Sequence, residues 1–219
     1  MARLDFISEF HNRTQRNYLE RVTSHDKAEC TRVARQWGAD YWDGPRQYGY
    51  GGYHYDGRWL PLAQKLAKQY SLTAESRVLD VGCGKGFLMY ELTQAVPGIE
   101  VAGLDISPYA KEHAKEEVKE KITLGHARAL PFADDQFDLV FSNTTLHNLQ
   151  LPELDAAIRE MERVAKQKFI CVESYRNDAE KVNLLYWQLT CESFFSPEEW
   201  EWLYGRCGYT GDWDFIFFE

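Results

Sequence analysis

The hydrophobic and polar positions of this chain follow two alternating periods from residue 77 onwards. Short apolar runs that end at glycine or charged residues predict buried strands. The predicted strands are residues 77–81, 100–105, 122–124, 139–142 and 169–173. Between them apolar residues recur at helical spacing, as at Leu154, Ile158 and Met161, with charged residues opposite. Strands that alternate with helices predict an α/β fold, a doubly wound and mostly parallel sheet with helices on both faces.

The two ends of the chain extend this pattern. Residues 1–36 carry intermittent apolar positions and predict one or two amphipathic helices outside the main fold, and Pro61 opens a further helix. At the other end, helix candidates at 179–190 and 197–204 precede the aromatic strand candidate DFIFFE. Because no repeat or low-complexity linker divides the chain, residues 1–219 predict one domain, with an extension over 1–60 and a core over 61–219.

The stretch VLDVGCGKGF joins the first predicted strand to the helix after it. Asp80 ends the apolar run, and Gly82, Gly84 and Gly86 follow at alternate positions. Glycines at such a turn allow backbone conformations and close approaches that a side chain would block. In an open α/β sheet the turn lies at the carboxyl edge of the strands, where ligands bind. The motif therefore predicts a site for a nucleoside-like cofactor.

The glycine spacing indicates which cofactor. A dinucleotide fingerprint has its third glycine three residues after its second, whereas Gly86 lies two residues after Gly84. Asp105 ends the second predicted strand, where an acid that binds ribose hydroxyls is expected. At these residues the chain resembles the class I S-adenosylmethionine-dependent methyltransferases. Asp80 and the three glycines match their first motif, Asp105 matches their second-strand acid, and residues 130–149 resemble their loop into strand four.

The resemblance implies a Rossmann-like core that binds S-adenosyl-L-methionine and releases S-adenosyl-L-homocysteine. It also implies an antiparallel C-terminal hairpin, for which CGYTGDW and residues 214–219 supply a turn and a strand. The residues expected to bind the cofactor are Asp80, Gly82, Cys83, Gly84, Gly86, Asp105, Ile106, His126, Ala127 and Asn143. Asp80 would orient the turn and the methionine end of the cofactor, Asp105 the ribose, and Asn143 the amino-acid portion.

At the adenine the chain departs from the family, which often has Asp-Ala where this sequence has His126-Ala127. One interpretation is that His126 flanks the adenine by stacking or by a hydrogen bond. The other is that His126 is solvent-exposed and that the backbone of Ala127 contacts the base. Both stay open at this stage.

Composition narrows the range of partners. The net charge of −9 and the absence of any Lys/Arg cluster argue against nucleic acid. The five cysteines are odd in number and scattered, which is typical of reduced thiols and not of a disulfide framework or a zinc site. The acidic group Asp134, Asp135 and Asp138 precedes strand four and is expected to be solvated, so we expect no metal site.

The chain also lacks the patterns of export and membrane insertion. Charged residues interrupt the N-terminal segment at Arg3, Asp5, Glu9 and Arg13, so no signal-peptide core is expected. No apolar run approaches the roughly 18 residues that a membrane span needs. We therefore expect a soluble, cytoplasmic protein.

The segment 37–59 is the first candidate for binding the methyl acceptor. It combines glycines with Tyr50, Tyr53, His54 and two arginines, Arg46 and Arg58, and it precedes the core where related enzymes often carry a substrate cover. Tyrosines offer an apolar ring with a polar tip, and arginines grip carboxylates or phosphates in a fork. The segment therefore predicts a lid. A loop that packs permanently against the fold is the alternative.

Two further clusters follow strands four and five. His147 comes just after Asn143, where a catalytic or acceptor-binding residue would emerge, and its ordinary pKa suits base catalysis. Packing against the next strand is the alternative. Tyr175 and Arg176 follow the fifth strand at the ligand edge, and an ion pair of Arg176 with Asp178 or Glu180 is the structural alternative.

These features together favour a methyltransferase of a small polar, anionic, hydroxylated metabolite, such as a sugar or a phosphorylated hydroxy acid, with O-methylation preferred. His147, Tyr50 and His54 are its catalytic candidates, and Arg46, Tyr53, Arg58, Tyr175 and Arg176 are its acceptor-binding candidates. N-methylation of a small amine or amino acid is the alternative within this class. From other classes, a nicotinamide-dependent oxidoreductase and a non-catalytic cofactor-binding subunit compete. A homodimer is left open.

Overall fold

In the computed structural model, which describes residues 1–11 and 16–219, six strands form one parallel sheet. The strands are β1 Arg77–Val81, β2 Glu100–Asp105, β3 Ile122–Leu124, β4 Phe137–Asn143, β5 Ala165–Ser174 and β6 Asp212–Phe217. Their order in the sheet is β3-β2-β1-β4-β5-β6. The chain order reverses direction between β1 and β4, which makes the carboxyl edge at this point the expected ligand crevice.

Helices connect and flank these strands. Before the sheet lie α1 Ser8–His11, α2 Tyr18–Thr23, α3 Lys27–Ala34, α4 Ala39–Trp42 and α5 Leu60–Gln69. Within and after it lie α6 Phe87–Ala95, α7 Pro108–Glu112, α8 Glu116–Lys119, α9 Leu151–Val164, α10 Asp178–Trp187 and α11 Pro197–Cys207. None of the helices in the described part of the chain has the length and apolar character to cross a bilayer.

The sheet is covered on both faces. Alternate side chains of β1 enter different cores: Leu79 packs with α9 and α11, and Val78 packs with α5 and α6. This follows from the two-residue period of a strand. A strand buried on both faces reads as a continuous apolar run, which is why β1 was recognisable in the sequence.

The predicted antiparallel C-terminal hairpin is wrong. β6 pairs with β5 in parallel, with Cys171 opposite Asp214. The chain between them forms α10 and α11, which is long enough for the crossover that parallel strands require. Within CGYTGDW, the stretch that suggested a hairpin turn, Gly208 instead ends α11 in the left-handed conformation at φ 71°.

The N-terminal segment packs against β6 and β5, at the end of the sheet that β6 forms. The Leu4 N–H donates to the Trp213 carbonyl at 2.7 Å, the Phe6 ring lies 5.3 Å from that of Phe169, and Ile7 is buried in the core. The amphipathic pattern predicted over residues 1–36 takes the form of three short helices among the described residues. Residues 12–15, which include Arg13, lie outside the described part of the chain.

Candidate active site

Polar side chains end four neighbouring strands at the carboxyl edge of the sheet. Asp80 lies on β1, Asp105 on β2, Asn143 on β4 and Glu173 on β5. Because all strands run parallel, these groups gather at one edge. Two cavities open there, of about 380 Å³ and 340 Å³.

The glycine turn between β1 and α6 shapes the first cavity. Gly82 and Gly84 adopt φ values of 84° and 54°, which favour glycine. A Cβ on Gly82 would lie 2.2 Å from Thr145 Oγ1, and one on Gly84 would lie 2.8 Å from the Trp42 ring. The close approach of these neighbours leaves no room for a side chain at either position.

The first cavity contains all the predicted cofactor-binding residues except one. It is lined by Asp80, Gly82, Cys83, Gly84, Asp105, Ile106, His126, Ala127 and Asn143. Gly86 lies outside this lining, at the N-cap of α6. A Cβ there would approach Val118 to 2.8 Å, so Gly86 permits helix packing.

The Asp80 carboxylate is the strongest indication of a cationic ligand. It is 3% exposed, and no residue in the described part of the chain donates a hydrogen bond to it. Burial raises its pKa well above the ordinary value, and the charge of Asp105 adds to this effect. A desolvated carboxylate next to another acid is stabilised by a positive charge. The sulfonium and ammonium groups of S-adenosylmethionine fit that requirement.

Asp105 holds the turn in place. Its Oδ2 accepts the Gly84 N–H at 2.7 Å, and its Oδ1 accepts the Ser107 N–H at 2.8 Å. Each carboxylate oxygen has a second lone pair for a ribose hydroxyl. Nearby, Asn143 Oδ1 is buried without a hydrogen-bond partner among the described residues. Such an orphaned acceptor is costly unless a ligand donates to it, which fits the cofactor's ammonium group.

At the adenine end, both His126 and Ala127 line the cavity. His126 Nδ1 accepts the Arg128 N–H at 3.2 Å, and His126 Nε2 lies 3.6 Å from Glu153 Oε1. These contacts hold the ring at the cavity wall, where an adenine can contact either the ring or the Ala127 backbone.

The segment 37–59 covers the glycine turn and is attached to it through Lys85. The Lys85 ammonium is buried, lies 2.7 Å from the Asp43 carboxylate and donates to the Tyr53 carbonyl at 2.9 Å. On the other side, Trp42 Nε1 donates to Ser107 Oγ at 3.0 Å. Sequence reasoning assigned no role to Lys85, because its partner lies 42 residues away. The only sequence feature that pointed to this contact was the presence of an acid, Asp43, in the glycine-rich segment 37–59.

An aromatic wall separates the two cavities. Tyr50 stacks on Trp42 with ring centroids 5.4 Å apart, and Tyr53 stacks on Phe87 at 4.9 Å. Tyr41, Tyr50, Tyr53, Trp59, Thr144, Asn148 and Thr190 line both cavities. The surrounding protein raises the pKa of Tyr50 to about 12, so its hydroxyl is protonated at neutral pH and can donate a hydrogen bond.

The second cavity carries most of the predicted acceptor-binding and catalytic residues. Arg46, Tyr50, Tyr53, His54, Arg58 and His147 line it. Arg58 is half-exposed and pairs with Asp56 at 2.5 Å. Arg16, Arg21 and Trp187, which the sequence patterns did not single out, also line it, as does Glu173 at the end of the fifth predicted strand.

His147 and Glu173 form a buried pair in this cavity. His147 Nδ1 accepts the Glu173 N–H at 3.4 Å, which leaves the proton on Nε2, 3.4 Å from Glu173 Oε2. The Gln188 amide also donates to Oε2. Burial lowers the pKa of His147 to about 3 and raises that of Glu173 to about 8. His147 is therefore neutral, and Glu173 titrates near physiological pH.

Two predicted acceptor-binding residues lie outside the lining of both cavities. Arg176 forms ion pairs at 2.5 Å with Glu180 and Glu219, so the structural alternative holds for its contacts. The Tyr175 hydroxyl contacts Glu199 at 3.5 Å. Within the described residues no group of three or more His, Cys, Asp or Glu side chains is placed to hold a metal ion.

The parallel sheet, the glycine turn and the acids at the strand ends define a Rossmann-like domain for a nucleoside-type cofactor. Residues 79–172 match the family described as a methyltransferase domain. The protein YcgJ from Bacillus subtilis has a similar fold, with a TM-score of 0.57 and 26% identity over 69% of this chain and 68% of that one. Over these residues the chain is similar to the class I S-adenosylmethionine-dependent methyltransferases, a family that uses S-adenosylmethionine as methyl donor.

Two curated relatives are similar over parts of their length. A malonyl-acyl-carrier-protein O-methyltransferase of Legionella pneumophila is 35% identical over 100 residues, 44% of this chain and 34% of that protein. A demethylmenaquinone methyltransferase of Staphylococcus aureus is 32% identical over 155 residues, 64% of this chain and 64% of that protein. The chain thus covers less than two thirds of either relative.

Proposed function

We propose that this protein transfers a methyl group from S-adenosylmethionine to a hydroxyl of a small polar, anionic metabolite. The observation that carries this proposal is that two cavities of opposite charge share one wall. Asp80 and Asp105 suit a cationic methyl donor on one side of it. Arg21 and Arg46, which form no ion pair with any described residue, suit an anionic acceptor on the other side.

The first cavity would hold the donor. S-adenosylmethionine supplies an activated methyl group on a positively charged sulfur, so the protein's task is to bind, orient and exclude water. Asp80 and Asn143 would bind the amino-acid end, Asp105 the ribose, and Ile106, His126 and Ala127 the adenine. The backbone of Gly82 and Gly84 would lie against the ligand. These assignments rest on the lining of the cavity and on its unsatisfied acceptors.

The shared wall would align the two reactants. The methyl group has to pass where Tyr50, Tyr53 and Thr144 line both cavities. Thr144 adopts φ 57°, a strained conformation that is typical of functional sites. Fixing two reactants in line contributes roughly 7–11 kcal/mol to barrier lowering. The stacked tyrosines supply a rigid surface for this, and the Tyr50 hydroxyl would donate a hydrogen bond to the acceptor.

Glu173 would take the hydroxyl proton. Both contacts that described residues make with its carboxyl group go to Oε2, so Oε1 would face the acceptor. A pKa of about 8 is well matched to a general base. His147, predicted as catalytic, would instead position the Glu173 carboxylate through Nε2. His54 lies on the exposed rim and would contact the acceptor.

The alternatives have less support. The four arginines that line the cavity outnumber its one described carboxyl group, Glu173, and would repel a positively charged amine. The malonyl group in the name of one relative is anionic, as this cavity requires, but the similarity covers only 34% of that protein. A nicotinamide-dependent oxidoreductase is disfavoured by the glycine spacing and the family match.

Methyl-labelled S-adenosylmethionine tests the proposal. Incubated with a pool of small polar metabolites, the protein is expected to label an acidic, hydroxylated compound. Treatment of the labelled product with a phosphatase or an esterase before detection identifies the methylated group. A matched reaction with Asp80→Asn at the same subsaturating cofactor concentration should give far less label, because the variant is expected to bind the cofactor more weakly. Labelling of an amine, or none across an exhaustive pool, would refute the assignment of the acceptor class.

A further inference from the structure

The second cavity gathers three arginines around one tryptophan. The guanidinium carbons of Arg16, Arg21 and Arg46 lie 5.3, 5.3 and 5.1 Å from the centre of the Trp187 ring. Arg21 lies on α2, Arg46 in the segment 37–59, and Trp187 ends α10. Separate elements therefore bring their positive charges to the same place.

Two of these charges have no counter-ion in the described residues. Arg21 donates to the carbonyls of Trp187 and Arg46, at 3.4 and 2.7 Å. Arg46 donates to the Gly49 carbonyl. No described carboxylate lies within ion-pair distance of either guanidinium, although Arg58 in the same cavity and Arg176 outside it are both paired.

The surroundings make these charges costly. Burial lowers the pKa of Arg21 and Arg46, and repulsion from Arg46 lowers that of Arg21 further. The carboxyl group in the same cavity, Glu173, is mostly protonated at neutral pH because burial raises its pKa to about 8. Arg21 is partly buried and Arg46 is exposed, so a ligand can reach both, and an anion would offset the repulsion between these two cations.

We infer that Arg21, Arg46 and Trp187 form a subsite for a phosphate monoester group on the acceptor. Two unpaired guanidinium forks match a dianion, and a phosphate monoester carries about −1.5 to −2 charges with three acceptor oxygens. A carboxylate carries a single negative charge, so it would leave one of the two guanidinium charges without a counter-charge. Cation–π contact with Trp187 restrains the two guanidinium groups, so less freedom is lost on binding. This inference rests on the proposed function and narrows its acceptor to a phosphorylated hydroxyl compound.

Titration calorimetry with inorganic phosphate and with acetate tests the subsite at constant ionic strength. The protein, saturated with S-adenosylhomocysteine, is expected to bind phosphate with a millimolar Kd and at least about tenfold more tightly than acetate. Arg46→Met and Arg21→Met should each weaken phosphate binding about tenfold or more, because each removes one fork while keeping its stem. Arg32→Met, an exposed arginine that pairs with Glu29, is the matched control and should bind phosphate as wild type does.

S-adenosylhomocysteine binding, measured on the same samples, separates this inference from the proposed function. Retained cofactor binding also shows that each variant is folded. The subsite is refuted if wild type fails to bind phosphate at tens of millimolar, or if both methionine variants bind it unchanged. Acetate that binds as tightly as phosphate would overturn the phosphate assignment. Loss of cofactor binding by wild type would instead refute the proposed function.

Discussion

Asp80→Asn is expected to weaken S-adenosylhomocysteine binding by about two orders of magnitude. The Asp80 carboxylate is buried, faces the first cavity and receives no hydrogen bond from any described residue. In the bound state it would contact the cofactor's ammonium group, and truncating one partner of a buried charge pair costs about 2–5 kcal/mol. Asparagine keeps the shape of the side chain, so the change removes charge and leaves packing largely intact.

Titration calorimetry measures this effect directly. Asp134→Asn is the matched control, because Asp134 is exposed and pairs with Arg163 away from both cavities. It should leave the affinity unchanged. If Asp80→Asn binds S-adenosylhomocysteine within about threefold of wild type, Asp80 does not contact the charged end of the cofactor.

Glu173→Gln is expected to lower turnover of the acceptor by about 10²- to 10⁴-fold, the usual contribution of a general base. In wild type, log kcat/KM should rise with unit slope up to about pH 8 and level off above it, because the base has to be ionised. The Glu173→Gln variant should not show this rise below pH 8. Rates measured with labelled cofactor from pH 6 to 9 report both effects.

The groups around Glu173 determine its pKa and therefore the shape of the pH profile. Gln188 and the charge of Arg16 lower the pKa of Glu173, and burial, the larger effect, raises it. His147 is neutral throughout this range, and the Tyr50 hydroxyl is protonated. Arg21, Arg46, Arg58, His11, His54, Tyr41 and Tyr53 complete the charged and titratable lining of the cavity among the described residues. A wild-type profile that is flat between pH 6 and 8 would exclude Glu173 as the base.

Stability provides an internal check on this variant. The folded-state pKa of Glu173 is raised above its ordinary value of 4.5, so the folded protein binds the extra proton between about pH 4.5 and 8. Its contribution to the free energy of unfolding therefore falls as pH rises through that window. Neutral glutamine escapes this loss, so Glu173→Gln should be no less stable than wild type at pH 8. Glu201→Gln, on the exposed side of α11, serves as the control for activity.

Much of the sheet could be predicted because its strands are apolar runs. β1, β2 and β3 have the predicted bounds, whereas β4 and β5 extend further. The extra residues include Asp138 and Lys166, which pair across these strands at 3.0 Å and interrupt the apolar pattern. The parallel pairing of β6 depends on where α10 and α11 place the chain, which no local pattern records.

Some residues of the candidate site could likewise be predicted from local patterns, and others could not. The acids and glycines of the first cavity are close to strand ends, so a local motif identifies them. The second cavity is assembled from distant segments: Arg21 reaches Trp187 and Arg46 across long stretches of chain. Arg46 and Arg58, predicted from the composition of their segment, line the second cavity, whereas Arg176, predicted from its place after the fifth strand, lies outside it and pairs with Glu180 and Glu219. Only the tertiary structure distinguishes them.

Ligand binding to the first cavity tests the central claim most directly. In titration calorimetry with wild-type protein, S-adenosylhomocysteine is expected to bind in the micromolar range, and NADH is expected to show no binding at millimolar concentration. NADH binding without S-adenosylhomocysteine binding would contradict the account, because the Asp80 and Asp105 site would then belong to a dinucleotide.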